Sequence, residues 1–73
     1  MNGLGIGRIV HFHPPTVDES VGDPQAALIT KIHNKEGLVN LSVFPDGEAR
    51  KTFINVPFSD KETPYSWHWP AKT

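Results

Sequence analysis

A chain of 73 residues builds one domain and no more. It has no cysteine, which excludes disulfides and thiolate metal sites, and its net charge of −1 lacks the broad basic surface that duplex nucleic acid demands. No charged segment leads into an apolar run at Met1–Gly7, and no stretch approaches the ~20 apolar residues that cross a bilayer, so neither secretion nor membrane insertion by a standard route is expected.

Seven prolines and six glycines punctuate the chain, and short runs of Val, Ile, Phe and Thr lie between them. That pattern predicts short strands joined by turns, and no window holds the apolar 3–4 spacing of a helix. Met1 to Ile6 read as a flexible lead-in. Gly3, Gly5 and Gly7 do not make a phosphate loop, because they precede a strand instead of following one and opening a helix. The first strand runs over Arg8–His13 and stops at Pro14-Pro15, since proline cannot donate to a ladder. Thr16 to Pro24 is polar and reads as a solvated loop; its acids Asp18, Glu19 and Asp23 lack calcium-loop spacing.

The second strand spans Ala26–His33. Asn34 to Gly37 then form a four-residue hairpin loop in which Gly37 can take positive φ. Leu38–Phe44 follow with a clean period of two, Val39, Leu41 and Val43 alternating with Asn40 and Ser42. Pro45-Asp46-Gly47 is a turn, with proline presetting φ and glycine taking the left-handed position. Lys51–Val56 make the fourth strand, and a polar loop from Ser59 to Pro64 leads to Tyr65–Trp69. Five such strands predict an all-β fold, a small antiparallel barrel or strongly bent sheet of SH3-like or OB-like type. The expected core is Val10, Phe12, Leu28, Ile32, Val39, Leu41, Val43, Ile54 and Val56. A domain this short buries only roughly 60% of its unfolded surface. With Ile29, Phe44, Phe53 and Phe58 left over, a homo-oligomer is expected, most simply a two-fold dimer.

Trp67-His68-Trp69-Pro70 is the most unusual segment. In a strand the two indoles share a face, with His68 opposite. They either form an aromatic wall that stacks on bases or anchors a protein interface, or they plug the open end of a thin barrel. His11 and His13 likewise share a face. Joined by His33 or His68 they have the composition of a metal site, and as a pair that of an acid and a base; solvated or hydrogen-bonded imidazoles are the plainer reading, with no catalytic set and no metal or cofactor expected. Arg8 and Arg50, with Lys51 beside the latter, are the best anion binders, because the arginine fork matches phosphate geometry.

Gly7–Phe12, Ala27–Thr30, Val39–Gly47, Val56-Pro57-Phe58 and Trp67–Pro70, in that order, resemble a family of very short proteins encoded by tailed bacteriophages and prophages. The resemblance covers nearly the whole chain and implies a phage protein acting in the host cytoplasm or in a virion. Together with the paired indoles, the few arginines and the thin core, it leads to one expected function. This is a non-enzymatic sponge that sequesters a nucleotide immune signal of cyclic oligonucleotide or ADP-ribose type. Trp67, Trp69, Arg8, His11 and Arg50 would line the pocket for this small phosphate-bearing nucleotide. The alternatives are a virion component or host-protein interaction module and, more remotely, an enzyme that cleaves a cyclic nucleotide with His11 and His13.

Overall fold

The computed structural model describes residues 1–15 and 23–70, so Asp18, Glu19 and most of the expected acidic loop lie outside the described residues. Five strands form, β1 (Ile9–His13), β2 (Gln25–Ile32), β3 (Val39–Phe44), β4 (Lys51–Val56) and β5 (Ser66–His68). They make one antiparallel sheet in the order β4-β3-β2-β1-β5. The described residues contain no helix, so none is long and apolar enough to cross a membrane. The protein is the all-β, five-stranded domain that the sequence predicts.

Local chemistry sets the turns. Between β2 and β3 the Asn34 side-chain oxygen accepts from the Glu36 and Leu38 amides, and Gly37 takes a φ of 100°. Between β3 and β4 the Glu48 amide donates to the Pro45 carbonyl, with Gly47 at a φ of 74°. The sheet curls into a half-barrel, and the segment after β4 crosses its open side. There Phe58 bridges in parallel to Trp67, the Trp67 amide donates to Pro57 and the Ser59 amide donates to Trp67. The Tyr65 hydroxyl also donates to the Ile54 carbonyl, drawing the two edge strands together.

Inside the curl lie Val10 and Phe12 of β1, Ala27 and Ile29 of β2, Val39, Leu41 and Val43 of β3, Val56 of β4 and Trp67 of β5. Two expected core residues, Leu28 and Ile54, are displaced, and Ile32 keeps its inward place. Leu28 is only half-buried and sits on the outer face, Ile54 is 57% exposed, and Ile32 is half-buried against the core edge. Two bulges explain this. The β2–β3 register slips between Ile29 and Lys31, so the inward positions of β2 run 27, 29, 32 instead of 28, 30, 32. The β3–β4 register slips between Val39 and Leu41, opposite an Asn55 with a φ of 54°. There Phe53 and Val56 turn inward and Ile54 outward, because one extra residue flips every side chain beyond it. The Asn40 side-chain oxygen accepts from the Asn55 amide at 3.0 Å and so holds this second bulge. Of the apolar residues expected to be surplus, Ile29 is core and Phe53 and Phe58 pack against it; Phe44 alone is exposed.

Leu4 packs against the core, and the Gly7 amide donates to the Ile29 carbonyl at 2.7 Å.

Trp67 is fully buried, and its indole N–H donates to the Gly37 carbonyl at 2.7 Å. A side chain at Gly37 would put its Cβ 2.9 Å from the Phe58 Cβ and 3.2 Å from the Trp67 ring. Gly37→Ala therefore meets both left-handed backbone strain and overpacking, and is expected to cost at least about 2 kcal/mol. Trp67→Phe keeps a ring but leaves a buried carbonyl without its donor, a loss of about 1–3 kcal/mol. Urea denaturation of the two variants checks both figures, and wild-type midpoints would show that this contact is not structural.

Candidate binding site at the Trp69 and Arg8 groove

The strand pairing decides where each candidate residue goes. β5 pairs with β1 so that Phe12 lies opposite Trp67 and His11 opposite His68. Trp67 consequently faces inward with Phe12, while His68 faces outward with His11. Trp69 lies just beyond the strand. Its indole meets that of Trp67 at 90°, centroid to centroid 5.0 Å, so the pair is an edge-to-face contact and not a flat wall. Trp67 thus belongs to the core, and Trp69 is the half-buried one.

Arg8 precedes β1 and lies beside Trp69. Its guanidinium carbon is 5.7 Å from the Trp69 ring centroid, within cation–π range. These two side chains, with Gly7, Ile9 and Pro70, line an open groove of about 590 Å³. It offers a large π-face, an arginine fork and an apolar wall. Two further candidates lie elsewhere. His11 projects from the outer face of β1 against His68, with ring centroids 5.6 Å apart. Arg50 donates to the Ser42 hydroxyl at 2.9 Å and to the Thr52 hydroxyl at 3.2 Å, on the far side of the sheet. β2 and β3 separate β4 from β1, which at strand spacing is ~14 Å. The structure therefore unites Trp69 and Arg8, and holds Trp67, His11 and Arg50 apart from their groove. Ile9 was not singled out in the sequence, and Pro70 only as the end of the Trp67–Pro70 segment, because an apolar residue gains a role there only once β1 and β5 are known to adjoin.

The histidines form their own cluster. The His13 and His68 rings stack, 4.9 Å apart and 21° from parallel, with His11 at right angles to His68. His13 is buried, a position alternation alone would not give a histidine on the outer face. His33 is remote from them and hydrogen-bonds to the Asn40 side-chain oxygen at 2.8 Å. That oxygen only accepts, so the His33 Nε2 carries the proton. Among the described residues no three His, Asp or Glu side chains are arranged to hold a metal ion.

Burial holds the His68 imidazole below its ordinary value of 6.5, and the neighbouring His13 and His11 charges add to this; Glu62 pulls the other way. The consequence for stability has a definite sign. Below pH 6.5 the unfolded chain takes a proton on His68 before the native state does. Stability is then full above that pH and declines as pH falls toward the depressed native value. Melting curves at a series of pH values are expected to show this acid-side loss, and His68→Asn to flatten it. An unchanged slope in His68→Asn would show that other groups set the acid limit.

No protein-family model, curated protein or solved structure matches the chain.

Proposed function

We propose that the protein is a non-enzymatic binding protein that captures a small phosphate-bearing nucleotide in the Trp69–Arg8 groove. In this reading it is a phage-encoded sponge for a nucleotide immune signal, of cyclic oligonucleotide or ADP-ribose type, acting in the host cytoplasm. The observation that carries the reading is the pairing of one accessible indole with one arginine at the wall of an open groove. Indole faces stack on any base, at roughly 1–3 kcal/mol per base, and the arginine fork matches phosphate oxygens. In the free protein the guanidinium lies over the indole. A base entering the groove takes that place on the ring, and the released N–H donors turn to the phosphate. The lining of Gly7, Arg8, Ile9, Trp69 and Pro70 stacks and neutralises charge, which is what capture without turnover needs. The phage assignment rests on the ordered motifs from Gly7 to Pro70.

A thermal-shift series with cyclic dinucleotides, cyclic trinucleotides and cyclic ADP-ribose isomers tests this, since a ligand that binds only the native state raises its stability by mass action. One of these compounds is expected to raise the melting temperature and to be recovered intact. Trp69→Ala should abolish that shift in a folded protein. Arg8→Ala should weaken binding by about 1.5–3 kcal/mol, the range for a hydrogen bond to a charged group. Trp67→Ala is expected to act differently, losing about 3–5 kcal/mol of stability as a core deletion. Failure of every nucleotide to shift the wild-type protein would overturn the reading.

A further inference from the structure

The outer face of the sheet carries apolar residues that the core does not use. Ile9 is 63% exposed and Phe44 45% exposed. Cross-strand pairing sets Ile9 beside Leu28 and Ala26 beside Phe44. These four residues line a shallow depression of about 190 Å³ in the middle of the face. Folding of one chain gives no reason for them to be apolar.

The rims of this depression carry opposite charge. At the Gln25 end of β2, Asp23, Asp46 and Glu48 gather around Phe44. Glu48 is paired with Lys51 at 3.4 Å, which leaves Asp23 and Asp46 as the acids of that rim among the described residues. At the other end of β2, Lys31 is exposed and lies opposite Asn40. Asn40 sits between inward-facing Val39 and Leu41, so it and Lys31 share the outer face.

We propose that a second copy of the chain docks on this face as a two-fold dimer, with the rotation axis lying in the interface and crossing the strands. That half-turn sets Ala26 of each copy over Leu28 of the other, and Phe44 over the Arg50 guanidinium that covers Ser42, within reach of a cation–π contact. It also places each Lys31 against Asp23 and Asp46 of the other copy, twice by symmetry. A half-turn about an axis along the strands would instead set acid rim on acid rim, which repulsion disfavours. Isologous two-fold packing is the commonest form of closed assembly. A stable interface covers about 800 Å² of each partner, about a sixth of this chain's 4938 Å². The dimer requires no ligand in the Arg8 groove.

Sedimentation equilibrium of the full chain, run without nucleotide from low micromolar to about 1 mM, tests the proposal. The expected result is a concentration-dependent monomer–dimer equilibrium. Phe44→Glu buries an unpaired charge in the interface and should raise the dissociation constant more than about a hundredfold, with an unchanged far-UV spectrum. Lys31→Glu should weaken the dimer about tenfold, and Asp23→Lys in the same chain should restore it. A monomer mass at every concentration overturns the proposal. So does a dimer that withstands Phe44→Glu and dissociates with Ile54→Glu, since that result places the contact on the β4 edge. A Lys31→Glu chain that dimerises like wild type overturns the orientation of the two copies.

Discussion

The indole of Trp67 holds the two ends of the chain and its middle in one place. Its N–H reaches the carbonyl of Gly37, thirty residues away in sequence, and its backbone is hydrogen-bonded to Pro57 and Ser59. Phe58 packs edge-on to the ring at 5.0 Å, and the Met1 side chain reaches the same side of Gly37. A half-barrel with one open side exposes its core there unless something large closes it. With no cysteine to cross-link that side, one aromatic residue closes it, and the missing side chain at Gly37 makes room. The arrangement couples a local requirement, positive φ in a hairpin loop, to a global one, the seating of β5. A change at either residue is felt at both.

The remaining site geometry follows from the inward orientation of Trp67. Strand alternation sends the next residue, His68, to the outer face, where its partner across the ladder is His11. His13 lies on that same face and stacks on His68, so three imidazoles meet because of one pairing register. Beyond the strand, Trp69 is released from the ladder and turns to Arg8 at the mouth of the curl. One short segment thus contributes a core plug, a titratable stack and a half-buried indole. Burial and the neighbouring His13 and His11 lower the His68 pKa, so the acid-side loss expected of it falls on the same strand that closes the core. Proton uptake on His68 places a charge in a position where burial disfavours it, on the residue that pairs β5 with His11 of β1.

The sequence is a good guide to elements and a poorer guide to faces. All five strands and both glycine turns could be read from local pattern, since proline, glycine and β-branched residues act over a few positions. β1 and β3, which are regular, also show the expected inward residues. β2 and β4 do not, and both carry bulges. Nothing near Thr30 or Asn55 announces an extra residue. The determinant of the second bulge is a side chain on another strand, Asn40, whose oxygen accepts the Asn55 amide. A long-range hydrogen bond of that kind has no local signature, so Leu28 and Ile54 are assigned to the wrong face. The site was partly legible for a similar reason. Arg8 and Trp69 stand out by residue type, but their adjacency depends on β1 pairing with β5. The same pairing removes Trp67 and directs His11 elsewhere.

The two outer features, groove and apolar depression, have one side chain in common. Ile9 walls the Trp69–Arg8 groove and also lines the depression with Leu28 and Phe44. A second copy packed on the sheet face therefore contacts the wall of the ligand groove. An occupant of that groove in turn contacts part of the dimer surface. Any effect of nucleotide on dimer affinity must then equal the effect of dimerisation on nucleotide affinity, because coupling free energies are reciprocal. Under the proposed capture of a nucleotide, the favourable sign is positive. Dimerisation that fixes Ile9 gives the groove a rigid wall before ligand arrives, and less ordering is then left for the binding step to oppose. A thin core thus bears on binding as well as on stability, since a domain too small to bury Ile9 by itself leaves that residue for a partner to fix.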